Sequence, residues 1–182
     1  MNLNEPSPDL LQRLAGRLGP KGFTTDSGDM DPWLTDWRGR VRGAAAALLS
    51  PATREEVADI VALAAAERVA IVPQGGNTSM VAGATPNAGA LLLSLRRMNA
   101  IRTISAEDNI AIVEAGVILG DLHRAAEAAG CRFGLSLAAK DSATIGGLIS
   151  TNAGGTQVLR FGPMRALLLG IEIGRASCRE RV

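Results

Sequence analysis

The sequence predicts an α+β fold that begins with parallel strands and continues in antiparallel ones, and three observations predict it. An apolar run at 41–49, a capped amphipathic stretch from Thr53 and a second apolar run at 69–72 read as strand, helix and strand. Such a unit implies parallel pairing through a right-handed crossover. Further apolar runs at 91–95, 102–104 and 110–115 follow, and Ala106-Glu107-Asp108-Asn109 has the composition of a hairpin turn. Two glycine-dense segments, at 74–79 and 144–155, interrupt this pattern without lengthening it into a linker, and no internal repeat is present.

Each element has a local reason. Ser7 is placed to cap a helix with Pro8 in its first turn and Asp9 against its dipole; Leu10, Leu11, Leu14 and Leu18 form the apolar stripe, and Gly19-Pro20 ends it. Residues 21–36 are polar and turn-rich, with Trp33 and Trp37 as the large anchors. The run at 41–49 is a buried strand stopped by Ser50-Pro51. Thr53-Arg54-Glu55-Glu56 is a capping box, and Val57, Ile60, Val61 and Ala64 share the helical face behind it. The strand at 69–72 is closed by Pro73. A helix at 117–129 turns Leu119, Leu122, Ala126 and Ala129 inward and stops at Gly130. Residues 167–173, LLLGIEI, read as a buried strand. The stretch from Ile173 to Val182 breaks into an arginine-rich end that resembles translated adapter sequence and is expected to be a non-native tail. Without it the net charge moves from +1 to −1.

Composition excludes several classes. Of 182 residues 47% are hydrophobic, enough for a sizeable core rather than a disordered chain. Nineteen basic against 18 acidic residues exert no long-range pull on nucleic acid or anionic lipid. Two cysteines, Cys131 and Cys178, make no disulfide framework, and the start MNLNEP carries neither a basic end nor an apolar core of a signal peptide; a cytoplasmic protein is expected. No apolar run reaches the roughly 18 residues of a spanning helix.

Neither glycine segment is a P-loop or a G-x-G-x-x-G dinucleotide turn. In Pro73-Gln74-Gly75-Gly76-Asn77-Thr78-Ser79, adjacent glycines let backbone N–H groups turn toward one concavity suited to an anionic oxygen, while Asn77, Thr78 and Ser79 add neutral donors. Alone, this segment reads equally as an irregular surface turn. In the second, Ser142 and Thr144 precede Gly146-Gly147, and Thr151-Asn152 precede Gly154-Gly155, around a short helix-like Leu148-Ile149. Here too, doubled glycines are expected to expose main-chain amides. Two donor-rich neutral loops suit a long cofactor bridged by a diphosphate, which backbone donors alone can hold.

The segments VPQGGNTSMVAGATP, LLLSLRRMNAIRTI, EAGVILGDLHRAAEAAG and SATIGGLISTNAGGTQVLRFGPMR, preceded by DWRGRVRGAAAALLSPATREEVADIV, resemble the FAD-binding domain of FAD-linked oxidoreductases of the vanillyl-alcohol oxidase superfamily. Within it the chain is most similar to the D-lactate, glycolate and D-2-hydroxyglutarate dehydrogenases. The resemblance implies a PCMH-type FAD-binding domain of two α/β subdomains over residues 36–172, incomplete at its end, after an N-terminal helix and arm at 1–35. It implies that Pro73, Gln74, Gly75, Gly76, Asn77, Thr78 and Ser79 contact the FAD diphosphate. Ser142, Thr144, Gly146, Gly147, Thr151 and Asn152 would line the other wall. Relatives with covalent flavin often carry histidine in the first loop; Asn77 there implies noncovalent FAD. Leu148 and Asp141 depart from the asparagine and glycine that relatives often have.

The implied reaction oxidises a D-2-hydroxy acid to the 2-oxo acid by hydride transfer to flavin, with an electron acceptor the sequence leaves unknown. The family's substrate arginines and divalent-metal ligands fall in a C-terminal half beyond this sequence, so the fragment alone is expected to be inactive. An FAD module serving a separate catalytic chain, a flavin-free structural domain, and a cell-wall precursor reductase are the other readings. His123, Cys131, Arg96-Arg97, Trp33 and Trp37 read first as structural, and so do Arg160 and Arg165, with reach toward a cofactor edge as their second reading.

Overall fold

The computed structural model describes residues 3–172 and 179–180. The chain divides into two compact units, Met1–Arg97 and Met98–Val182.

The first unit contains α1 (Pro8–Leu18), β1 (Phe23–Thr24), α2 (Ser27–Leu34), β2 (Ala47–Leu49), α3 (Arg54–Glu67), β3 (Ile71–Gln74) and β4 (Leu91–Ser94). Its sheet has the order β1-β2-β4-β3; β4 pairs in parallel with both neighbours, and β1 lies antiparallel to β2. Every residue of β2 and β4 is buried, as expected for parallel strands covered on both faces. Alternation sorts their side chains. Leu49, Leu91 and Leu93 face Leu10, Leu14, Leu18, Ile60 and Ala64, while Leu48 and Leu92 face Met30 and Leu34. The helix read as part of an N-terminal arm therefore builds this core.

Caps and strand ends are set locally. The Ser7 hydroxyl accepts from the Leu10 N–H at 3.1 Å, and Thr53 Oγ1 accepts from Glu56 N–H at 3.1 Å. The reciprocal arm of the capping box runs one residue further out, because Glu56 Oε2 accepts from Ala52 N–H at 2.7 Å. Thr53→Ala should cost about 1 kcal/mol in urea unfolding; an unchanged midpoint would remove the cap from the account.

Several expectations are corrected. The first strand is three residues rather than nine, because the N–H groups of Gly43, Ala44 and Ala46 donate to Leu34, Pro86 and Ala90 carbonyls as the chain approaches the sheet. β2 and β3 do not pair; β4 lies between them. β3 runs through Pro73 to Gln74, which an edge strand allows because a proline's missing donor can face outward. The polar stretch at 21–36 holds α2, whose N-terminus is capped by Asp26 Oδ1 accepting from Gly28 and Asp29 at 2.8 and 3.0 Å. On α3 only Ile60 and Ala64 are buried, and Val61 is exposed.

The second unit contains β5 (Ile101–Ser105), β6 (Ile110–Val113), α4 (Leu119–Ala128), α5 (Ile145–Thr151), α6 (Val158–Phe161), a 3-10 turn at Met164–Leu167, β7 (Ile171–Glu172) and β8 (Arg179–Glu180). β5 and β6 form the expected hairpin, its turn closed by Ser105 Oγ donating to Asp108 at 2.7 Å and by Asn109 at φ 55°. Leu119 and Leu122 of α4 pack with Val117, Leu135, Ala143, Ile145, Leu148 and Met164. Gly130, at φ 73°, ends the helix region. The predicted strand at 167–173 is reduced to β7, paired antiparallel with β8; Leu169 is exposed. The expected non-native tail otherwise lies outside the described residues.

Candidate functional site

The first glycine loop leaves the sheet at the end of β3. Gln74 is 3% exposed, and its side-chain N–H group donates to the carbonyls of Trp33 and Ala84, each at 2.9 Å. Its Oε1 is buried without a partner among the described residues. Beyond it the chain turns through Asn77 at φ 53°, a left-handed conformation that asparagine tolerates better than most residues. Asn77 Nδ2 donates to the Thr35 carbonyl at 2.7 Å. The backbone N–H groups of Gly75, Gly76, Asn77, Thr78 and Ser79 donate to no acceptor among the described residues, although all five residues are half-buried. Half-buried donors without partners are unfavourable unless water or a ligand meets them. The loop carries no charge of its own, so a run of main-chain donors is what it offers, and an anionic oxygen is what such donors take.

The second segment behaves differently. Gly146 and Gly147 lie inside the first turn of α5, and the amides there are occupied. Ile145 donates to Val117 O at 2.9 Å, Gly146 to Ala115 O at 2.8 Å, Gly147 to Thr144 Oγ1 at 3.3 Å and Leu148 to Thr144 O at 2.9 Å. The expectation of exposed amides at these two glycines is corrected: Thr144 is the helix cap. Gly146 is required by packing, since a Cβ there would lie 2.8 Å from the Ala115 Cβ and 3.0 Å from its carbonyl. A Cβ on Gly147 would meet Thr144 Oγ1 at 3.1 Å. At the far end Thr151 Oγ1 donates to Gly147 O at 2.9 Å, and Asn152, at φ 50°, accepts from Arg165 N–H at 3.0 Å. Ser142, Thr151 and Asn152 remain exposed.

The arginine readings resolve into structural tasks. Arg165 donates to the Ile149 and Ser150 carbonyls at 3.1 and 2.8 Å, which caps α5. Arg160 lies over Phe161. Arg96 sits 4.5 Å over the Trp33 ring, and Arg97 donates to Ser50 O at 2.7 Å. His123 Nε2 lies 2.8 Å from Leu135 O, so it donates and ties α4 to the following segment. Cys131 is half-buried and free. Among the described residues, no cluster of three or more His, Cys, Asp or Glu side chains forms a metal site, and no helix is long and apolar enough to cross a membrane.

One participant escaped the sequence reading. Asp36 is 5% exposed, and its Oδ1 accepts from the N–H groups of Arg40 and Val41, each at 2.7 Å. Its Oδ2 accepts from Arg38 N–H at 3.3 Å. An Asp followed at the fourth position by Gly39, here at φ 67°, is the signal that marks this turn. Donation by Val41 above all, then by Arg40 and Arg38, outweighs desolvation and holds the Asp36 carboxyl below its ordinary range. In the second unit, Ala100 N–H at 2.9 Å, then Arg102, lowers Glu114 in the same direction. A depressed folded value means stability present above the unfolded value of about 4 and lost as pH falls through the folded one. Urea midpoints should therefore drop below about pH 4, and Asp36→Asn and Glu114→Gln should each flatten that acid limb. An unaltered limb in both variants would contradict the assignment.

The donor set fits a dinucleotide diphosphate. Five uncommitted N–H groups follow one another along one loop, and the side-chain amides of Gln74 and Asn77 are spent on the carbonyls of Trp33, Ala84 and Thr35. Residues 45–177 match a family model described as an FAD binding domain. The chain is 39% identical over 157 residues to the mitochondrial D-2-hydroxyglutarate dehydrogenase of Bos taurus, covering 86% of this chain and 29% of that protein. It is 33% identical over 166 residues to D-2-hydroxyglutarate dehydrogenase of Stutzerimonas stutzeri, covering 91% and 36%. In fold it is similar to alkyldihydroxyacetonephosphate synthase, with a TM-score of 0.85 at 20% identity, over 100% of this chain and 36% of that one. The chain thus spans about a third of the length of the curated relatives it matches.

Proposed function

Because the chain belongs to the FAD-binding domain family, we propose that it is the flavin-holding part of an oxidoreductase that converts a D-2-hydroxy acid to its 2-oxo acid. D-2-hydroxyglutarate, D-lactate and glycolate are the substrate candidates. The observation that carries the reading is the run of uncommitted N–H groups at 75–79. Gly75, Gly76, Asn77, Thr78 and Ser79 are assigned to the diphosphate; in the second unit Ser142 and Asn152 are the exposed residues with side-chain donors assigned to the cofactor, and Thr144, Gly146, Gly147 and Thr151 shape the helix that carries them.

Bound FAD supplies a hydride acceptor. The work of this chain is to bind that group, orient it through neutral main-chain donors, and add no acid or base of its own. The substrate carboxylate, a divalent metal and the electron acceptor are assigned to residues and partners outside this chain. FAD is held without a covalent bond, since Asn77 offers no nucleophile for attachment. Cytoplasmic residence goes with this reading, supported by the scarcity of cysteine.

The test uses the protein that carries this chain together with the remaining two-thirds. Purified protein should show the blue absorbance of oxidised flavin, and denaturation should release the flavin into solution. Under anaerobic conditions a D-2-hydroxy acid should bleach that absorbance, whereas the L enantiomer should not. Protein without flavin, or flavin bleached equally by both enantiomers, would defeat the reading.

A further inference from the structure

We propose that the segment from Trp33 to Arg42, which precedes the matched family region at 45–177, is the positioning element of the donor loop, with Asp36 as its keystone. The inference rests on the diphosphate reading above and assigns that site's geometry to residues outside the matched domain.

Both side chains that brace the loop donate to main-chain carbonyls of this one segment. Gln74 reaches Trp33 O at 2.9 Å, and Asn77 reaches Thr35 O at 2.7 Å. The neighbouring backbone groups are themselves held. Asp36 N–H donates to Val41 O at 2.9 Å while the Asp36 carboxylate accepts three N–H groups from the same turn. Gly43 N–H donates to Leu34 O at 2.8 Å. Arg42 donates to Thr35 Oγ1 at 3.1 Å and pairs with Asp31, which ties the segment to α2. The path is continuous: the Asp36 turn fixes the Thr35 carbonyl, the carbonyl fixes the Asn77 amide, and the amide keeps Asn77 left-handed. The N–H groups on either side of Asn77 are then aimed before a ligand arrives, and preorganisation of this kind raises affinity without adding a contact. Asn77 accordingly acts twice, through its backbone as a donor and through its side chain as a positioning residue.

The discriminating variant is Asn77→Gly. Glycine keeps the backbone N–H and the positive φ, and loses the tether alone. Binding of FAD and of ADP, which share the diphosphate, is measured by fluorescence titration and calorimetry on the full chain, beside the unfolding midpoint of the flavin-free protein. The expected result is a loss of about tenfold or more in affinity for both ligands, with the midpoint within about 3 °C of wild type. Asp36→Asn should weaken both ligands too, and the double variant should be no worse than the worse single one, because both act through the Thr35 carbonyl. Wild-type affinity in Asn77→Gly overturns the inference, as do additive losses in the double variant. So does a midpoint that falls in step with affinity in Asn77→Gly, which marks a merely structural role. Failure of the wild-type chain to bind either FAD or ADP would instead remove the diphosphate reading itself.

Discussion

Replacing Gly43 with alanine is expected to destabilise the first unit by about 3 kcal/mol, lowering its unfolding midpoint by roughly 10 °C. An added Cβ would overlap the Pro86 carbonyl oxygen and lie 2.9 Å from Thr85 Cγ2. The carbonyl has little freedom to retreat, because Pro86 is fully buried and its oxygen accepts from Ala44 N–H at 3.1 Å. Backbone must therefore move on one side or the other, and the movement falls where Gly43 N–H holds Leu34 O. Gly16→Ala is the control. It lies on the exposed face of α1 with nothing within 4 Å of the added methyl, so it should raise stability by about 0.5–1 kcal/mol. Thermal unfolding followed by circular dichroism compares the two; equal midpoints would refute the close approach at Gly43.

The second large effect is on binding. Gly76→Val should cut FAD affinity by about a hundredfold, equivalent to about 2.7 kcal/mol, while the flavin-free protein unfolds near its wild-type midpoint. The reason is chemical. Loop residues 75–79 offer N–H groups rather than side-chain charge, so the ligand must come to the main chain itself. A β-branched side chain in the middle of the run blocks that approach and stiffens a backbone that has to curve. Gly76→Ala should fall between the two. Undiminished flavin binding in Gly76→Val would move the site elsewhere.

What the sequence discloses here is the local half of the structure. The Ser7 and Thr53 caps, the hairpin turn at Asn109 and the stop at Gly130 follow from contacts within a few residues, and each appears in the fold. The uncommitted N–H groups after β3 were legible for the same reason: paired glycines and neutral donors at a strand end. Sheet order was not, since β4 enters between β2 and β3 from a distant part of the chain. α2 was hidden because Gly28, Pro32 and three aspartates read as turn, while its Asp26 cap and the burial of Met30 and Leu34 override that composition. The second glycine pair misled in a specific way. Gly146 looks like Gly75, yet its amide is taken by Ala115 O, a residue 31 positions upstream. Local pattern cannot tell a glycine whose amide stays open from one whose amide is taken by a distant turn.

Pro73 has a bearing on how this protein behaves at high concentration. On β3 the residues that bond to β4 alternate, with the Ala70 carbonyl accepting from Leu91, so Pro73 points its absent donor toward solvent at the sheet's open margin. A second molecule trying to zip onto that margin finds a gap where a rung should be. Resistance to edge-to-edge association is thereby set by the same few residues that lead into the donor loop.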